Sequence, residues 1–410
     1  MRLLRGKSVP GLRFIPMVCF SCRFMPPRAL KIILRVAAII TILSVAIVLY
    51  LRRICLLGGY PGIYGGTCWR DRAYASAEVE TYDRSLPNPV PTVHFVVATT
   101  RKEWLLRETN WLTETNLASL LGLPADKVAL KRYVADDPKA EYHPVTNKGH
   151  ETSAYLTYLS SHYDKLPDVA IFMHASEFPW HTELMMLGSM SYVLRRMDLN
   201  HVLKYGYTNL RVSWMSGCPD WINTTISAKD SHKKEEPLVK QAWIDNFAPK
   251  GAAHRSAPEI LGVPCCNQFA VTRAAMLRNK KAQYDRSLEW LRTTPLDDTL
   301  SGRVWEHMFH YMFTGKAVEC PLERKTYCSL YRICLDQDDW RTYAAAVEED
   351  LELRLSLVSP YAVVWRPWWG WHFTRRLETL GNTIIRLRHK GLVQGKHAEA
   401  LTNIGDIYVE

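Results

Sequence analysis

The sequence predicts an α/β fold: a mostly parallel sheet flanked by helices, preceded by one transmembrane helix and a stem and followed by a helical C-terminal arm. Two observations predict it. From residue 92 onward, short apolar runs alternate with segments of helical periodicity, the order that lays helices over a parallel sheet. Ahead of them, a single uncharged apolar run, Val36 to Leu51, sits in a strongly basic N-terminus.

Residues 1–31 read as a basic tail. Residues 1–53 hold ten Lys and Arg and no Asp or Glu, so of the formal net charge of +11 only about +1 falls on the remaining 357 residues. That distribution excludes the electrostatic footprint of a nucleic-acid binder. Eight of the ten cations precede the apolar run and two follow it. Its sixteen residues reach about 24 Å as a helix. Ile32 to Leu34, with snorkelling Arg35 and Arg52, extend the span toward the ~30 Å of a hydrocarbon core. Residues 32–53 are therefore expected to cross the lipid bilayer as a signal anchor, with the N-terminus in the cytosol. The expectation is a type II protein of the endoplasmic reticulum or Golgi with a luminal C-terminal domain. Eight cysteines (Cys55, Cys68, Cys218, Cys265, Cys266, Cys320, Cys328 and Cys334) would then lie in an oxidising compartment, where some should pair. The sequon Asn223-Thr224-Thr225 would be open to glycosylation there.

Residues 54–91, with GGYPGIYGG and PNPVP, read as a Gly/Pro stem. The folded domain spans 92–335. It opens on the strand VHFVVATT, followed by the helix-like RKEWLLRETNWLTETN, and a second strand covers Lys131 to Val134. A helix from Glu151 to Tyr163 packs Ala154, Tyr155, Tyr158, Leu159 and His162 on one face. Val169 to Met173, a continuous apolar run, is expected to be a central strand covered on both faces. Tyr207 to Trp214 and Gln268 to Thr272 are further strands, and Leu300 to Phe313 is a helix. Residues 336–410 form a helical extension. In it Trp365, Trp368, Trp369 and Trp371 are expected to pack an arm onto the domain, with a membrane-interface belt and a sugar-stacking platform as alternatives.

Ligands bind outside the carboxyl ends of strands in open α/β sheets. Past Met173 stand His174, Glu177, His181 and Glu183, a set able to hold a divalent cation, with His174 and His181 as the metal ligands. Asn147-Lys148-Gly149-His150-Glu151 opens a helix. Its free amides and the Lys148 ammonium can take a phosphate or diphosphate, against the plainer reading of an Asn-capped helix. Asp136 and Asp137 follow a strand and can contact a ribose or a metal, or simply form a turn. Glu306 and His310 fall one helical turn apart, so a carboxylate base and an orienting histidine can share a face. Cys265 and Cys266 are adjacent; bonding to each other is strained, so separate partners are expected. No GxGxxG, GxxxxGK[ST] or GxSxG motif occurs, which removes dinucleotide, P-loop and nucleophile-elbow chemistry of those types.

NKGHE with AYLTYL, HYDKLPDVAIFMHA with WHTE, GYTNLRVSWMSGCP, GVPCCNQFAVTR with YDRSLEWL, LDDTLSGRVWEHMFH with AVECP, and YCSLYRICL together resemble a fungal family catalogued only as domain of unknown function 3431. The resemblance covers about 92 to 335 and implies no activity. A wider likeness is to nucleotide-sugar glycosyltransferases of the GT-A type. Those folds have an apolar strand ending in acidic or metal-binding residues, a later strand resembling QFAV, and an acidic residue with an aromatic helix resembling RVWEHMF. No clean DxD is present. The resulting expectation is a membrane-anchored glycosyltransferase-like enzyme using a nucleotide sugar and a divalent cation (Mn²⁺ or Mg²⁺), with a glycan or glycoprotein acceptor. Glu306 would be the base, His310 its orienter and Glu177 a further acid–base group. Asp136, Asp137, Asn147, Lys148 and Glu151 would hold the donor. A non-catalytic tethered binding or scaffold protein and a metal-dependent hydrolase are the alternatives.

Overall fold

The computed structural model describes residues 27–53, 85–105, 109–179, 181–227, 233–248, 256–358, 370–397 and 404–408. The Trp-rich segment 359–369, the side chain of Trp371, most of the stem, and Cys55 and Cys68 lie outside the described residues. The chain divides into two units, Met1–Leu57 and Gly58–Glu410. The first contains helix α1, Pro27–Arg53. Its described side chains, 31–46, are exposed all round, with Ile32, Ile40 and Ile42 about 60% accessible or more. Among the described residues no helix is long and apolar enough to cross a membrane.

The second unit is built on a five-stranded sheet ordered β2-β1-β3-β7-β4. Its strands are β1 (Val93–Thr99), β2 (Val128–Val134), β3 (Val169–His174), β4 (Tyr207–Asn209) and β7 (Phe269–Thr272). β5 (Ile222–Asn223) and β6 (Ile260–Leu261) pair separately. β1 runs parallel to β2 and β3, whereas β7 is antiparallel to both β3 and β4. The sheet is therefore mixed, a correction to the mostly parallel sheet expected from strand-then-helix order. The chain reaches β7 through long excursions after β4, and that order leaves its direction open. At the start of the parallel half, Asp168 accepts both the amide and the hydroxyl of Thr92 at 2.8 Å and so pins β1 to β3.

Alternation along the strands feeds two cores. Val93, Phe95, Val97, Val169, Ile171 and Met173 point to one face, while Val96, Ala170, Phe172, Phe269 and Val271 point to the other. The first face is covered by α2 (Glu114–Leu121), α4 (Met190–Arg196), α5 (Leu199–Tyr205) and α10 (Glu323–Tyr331), and by the C-terminal pair α11 (Gln337–Val358) and α12 (Gly370–Gly395). Tyr343, Ala346, Leu380 and Leu387 belong to the same buried cluster as the central strands, so this helical pair completes the domain core. The second face carries α3 (Glu151–Ser161), α6 (Glu236–Phe247), α7 (Lys281–Thr293), α8 (Asp298–Glu306) and α9 (Phe309–Thr314).

Two expected helices are broken. Residues 101–116 give a short helix, Arg101–Leu105, and a separate α2 that starts where the Thr113 hydroxyl accepts the Asn116 amide. The expected 300–313 helix stops at Glu306 and resumes at Phe309, with His307 and Met308 between in non-helical backbone. The expected 207–214 strand ends at Asn209, whose side chain turns back to accept the Arg211 amide and donate to the Pro264 carbonyl.

Candidate functional site

A cleft of about 1390 Å³ opens at the carboxyl ends of β1 and β3. Its walls carry Glu103, Glu151, Glu177, Glu235 and Glu306, four histidines (His150, His174, His181 and His307) and one guanidinium, Arg303. Trp111, Phe178 and Trp221 supply aromatic surface, and the Trp111 indole is fixed by donating to the Ala175 carbonyl at 2.9 Å.

One segment, Cys265 to Gln268, organises these groups. It lies just before β7, and Cys266 and Asn267 have positive φ of 85° and 54°. In the left-handed region successive backbone and side-chain donors fan toward the cleft instead of alternating across a strand. Cys266 donates its amide to Glu306 Oε1 at 2.5 Å, and Asn267 donates its side-chain amide to Glu151 Oε1 at 2.8 Å. Gln268 accepts the His174 amide through Oε1 at 3.0 Å, which turns its NH₂ toward His181 Nε2, 2.8 Å away. His181 must then carry its proton on Nδ1. Cys265 and Cys266 are bonded to each other, which corrects the expectation of separate partners. The positive φ at Cys266 supplies the backbone turn that brings the two sulfurs together. Cys218–Cys320 and Cys328–Cys334 are the other pairs among the described residues.

The cluster after β3 divides. His174, Glu177 and His181 line the cleft, with the His174 and His181 rings 4.8 Å apart, edge to face. Glu183 instead enters the core, where it accepts the Val212 and Ser213 amides and the Tyr327 hydroxyl. Burial raises its pKa despite nearby Arg211. His181 is pressed well below the usual histidine range by burial, then by His174 and Arg211, so it is neutral. Because its Nε2 lone pair is committed to Gln268, His181 does not offer that atom to a metal. His174 differs: its Nε2 has no hydrogen-bond partner and lies 4.0 Å from Glu151 Oε2. Glu177 accepts the Ser191 hydroxyl at 2.6 Å.

Glu306 reaches the cleft at the end of α8. Burial raises its pKa; His307 opposes the rise, the Glu151 charge adds to it, and the Cys266 amide offsets part of it. His310 does not join it, because the break at His307 rotates α9. The His310 ring is fully buried, bonds the Ala317 carbonyl at 2.8 Å and has its pKa lowered to about 4 by burial. The neighbour that faces the cleft is His307, whose Nε2 lies 3.6 Å from buried Glu235, which Arg303 approaches at 3.4 Å. Burial opposes ionisation of Glu235, yet its bond to His307, a backbone hydrogen bond and the charges of His307 and Arg303 together outweigh it and hold the carboxyl below its usual range.

The donor-binding residues expected from sequence scatter. Glu151 lines the cleft, but Asp136, Asp137, Asn147 and Lys148 are not among its lining residues. Asp136 accepts the Arg101 amide at 2.6 Å and Asp137 the Lys139 amide at 3.0 Å, a turn pinned to the end of β1. The Lys148 ammonium donates to the Thr294 carbonyl. The amides of Gly149 and His150, at the entry to α3, both donate to Asp298 Oδ1 at 2.7 and 3.2 Å. A carboxylate of the chain itself thus occupies the anion position that a phosphate would need. Glu235, His307, Asn267 and Gln268 were absent from the sequence-derived set. Only the polar Asn-Gln pair interrupting the run PCCNQFAV marks two of them beforehand.

Against known proteins, the chain belongs to the family described as "Protein of unknown function (DUF3431)", whose profile matches residues 95–329. No curated protein matches it, and no solved structure does.

Proposed function

We propose that this member of the unknown-function family is a glycosyltransferase-like enzyme, with Glu306 as the base that deprotonates an acceptor hydroxyl. The observation that carries the proposal is convergence. Of the three pieces that prompted the likeness to GT-A transferases, the end of β3 at His174 and Glu306 on its aromatic helix line one cleft, and the segment leading into the third, the QFAV strand β7, ties them to itself through hydrogen bonds of Cys266 and Gln268. A carboxyl with a raised pKa beside an open pocket suits proton transfer. Trp111, Phe178 and Trp221 offer the apolar faces against which sugar rings pack, while carboxylates accept their hydroxyls.

Charge sets a condition. Among the described residues five carboxylates face one guanidinium, so a nucleotide diphosphate needs a divalent counter-ion, Mn²⁺ or Mg²⁺, to enter. His174 and Glu151 are the residues that fit such an ion, because the His174 Nε2 is unpartnered and 4.0 Å from a Glu151 oxygen. The cation would neutralise the departing diphosphate; the protein would align the acceptor and accept its proton at Glu306. The same excess of carboxylates favours a second reading, a metal-dependent hydrolase, which would bind cation without nucleotide.

We further propose that α1 anchors the chain in a bilayer. Its apolar side chains from 32 to 45 are exposed, and such a surface calls for an apolar medium. Alkaline carbonate extraction tests it: a membrane-embedded anchor stays in the pellet, and release would exclude it. The catalytic proposal is tested by incubating the full-length chain in detergent with each nucleotide sugar and Mn²⁺ and measuring nucleotide diphosphate release. Release lost in Glu306→Gln supports it, and release unchanged in that variant removes Glu306 from the chemistry.

A further inference from the structure

The Cys265–Cys266 disulfide forms part of the cleft wall, and its chemistry is not used by the proposal above. Both sulfurs and a Glu306 carboxylate oxygen lie within 4.8 Å of one another. In the bonded state the sulfurs are poor ligands, since thiolates bind metals and a disulfide has none. Breaking the bond changes that without moving the backbone far, because adjacent residues cannot separate. The Cys266 amide, bonded to Glu306 at 2.5 Å, keeps the carboxylate against the pair. The surroundings are suited to a cation: Glu103, Glu151, Glu177 and Glu235 line the same cleft, and among the described residues Arg303 is the Lys or Arg side chain that opposes them there.

We propose that the reduced Cys265–Cys266 pair and Glu306 form a redox-gated site for a thiophilic divalent cation of the zinc and cadmium class. The steps balance. A dithiol or phosphine reductant delivers two electrons, the S–S bond breaks, and two protons from solvent give two thiols. The reductant leaves as a disulfide or a phosphine oxide. Cation binding then expels both thiol protons and forms two metal–sulfur bonds and one metal–oxygen bond, with solvent completing the shell. A cation held there takes the Glu306 carboxylate, so the reduced, metal-loaded protein cannot use it as a base. The site itself does not depend on the transferase proposal; only this consequence for catalysis does.

The test uses the full-length chain in detergent, with and without a phosphine reductant, titrated with Cd²⁺. The near-ultraviolet thiolate-to-cadmium absorption reports sulfur ligation, and alkylation followed by peptide mass analysis reports which cysteines the metal protects. The expected result is no cadmium-dependent protection assigned to Cys265 or Cys266 in the oxidised protein, and a stronger band after reduction with Cys265 and Cys266 protected. Glu306→Gln should weaken cadmium binding by about tenfold or more. The double variant Cys265→Ser/Cys266→Ser should lose the protected pair. Because that variant can fail to fold, Glu306→Gln and the reduced wild-type protein carry the test independently. Reduction of the pair without protection by Cd²⁺, or protection equally strong in Glu306→Gln, overturns the proposal. Loss of nucleotide diphosphate release in Glu306→Gln, with no cadmium protection of the pair in the reduced wild-type protein, would leave the transferase proposal standing and this one refuted.

Discussion

Glu323, the first residue of α10, provides a pH-dependent probe of how the domain is held together. It caps no helix of its own; its Oε1 accepts the Trp214 amide at 2.7 Å, near Glu183 and Arg211. Burial first, and the Glu183 charge, raise its pKa from 4.5 to about 7 against the pull of the Trp214 bond. The folded state therefore holds this proton more tightly than the unfolded chain. Below the unfolded value of 4.5 its contribution is fully present, and stability falls as pH rises from there through about 7. At ~1.36 kcal/mol per pK unit the gap corresponds to a ceiling of ~3 kcal/mol. Glu323→Gln keeps an oxygen for the Trp214 amide and removes the charge. It should stabilise the protein by up to ~3 kcal/mol at about pH 8 and leave it unchanged at about pH 4. Urea unfolding of wild type and variant at both pH values measures this. An equal effect at both, or destabilisation at the higher pH, would refute a buried, strained carboxylate at this position.

Other predictions concern the site and its frame. Gly302→Ala should destabilise the fold by about 1–3 kcal/mol in the same urea assay. A Cβ there meets the His150 ring at 3.0 Å and the Gly149 carbonyl at 3.1 Å, where α8 crosses the entry to α3. Lys148→Ala should leave any nucleotide-induced shift in thermal midpoint intact, because its ammonium serves the Thr294 carbonyl; loss of the shift would return Lys148 to donor binding. Glu183→Ala strands two backbone amides and a tyrosine hydroxyl in the core and should cost about 3 kcal/mol or more, read as a lowered urea midpoint. If the domain is luminal, Asn223→Gln should abolish a glycosidase-sensitive mobility shift of the expressed protein; a wild-type chain with no shift would count against that topology.

Much of the frame could be read from the chain because burial writes itself into composition. Val169 to Met173 is fully apolar and fully buried, whereas the helix begun at Glu151, expected to pack one face, is buried at every position from Thr152 to Leu159. Direction and interruption were less visible. β7 is a buried apolar strand whichever way it runs, and the break at His307 has no proline or glycine to announce it. The site was legible where ligands cluster locally, as with His174, Glu177 and His181 at a strand end. It was illegible where partners come from afar: Asn267 meets Glu151 and Cys266 meets Glu306 across long stretches of sequence. Lys148 and the amides at the entry to α3 show the converse, since the local anion-binding pattern was already satisfied, the amides by Asp298 from another helix and the ammonium by the Thr294 carbonyl.

The most direct test of the central claim is thermal unfolding of the full-length chain against nucleotide sugars, with and without Mn²⁺, in wild type and Glu306→Gln. A ligand bound only by the native state stabilises it by about 2.7 kcal/mol at a hundredfold excess over its dissociation constant. The account predicts that one nucleotide sugar raises the midpoint only with Mn²⁺, that Glu306→Gln retains this shift, and that the variant releases no nucleotide diphosphate. A shift with Mn²⁺ alone, or none with any nucleotide sugar, would contradict sugar transfer as the work of this cleft.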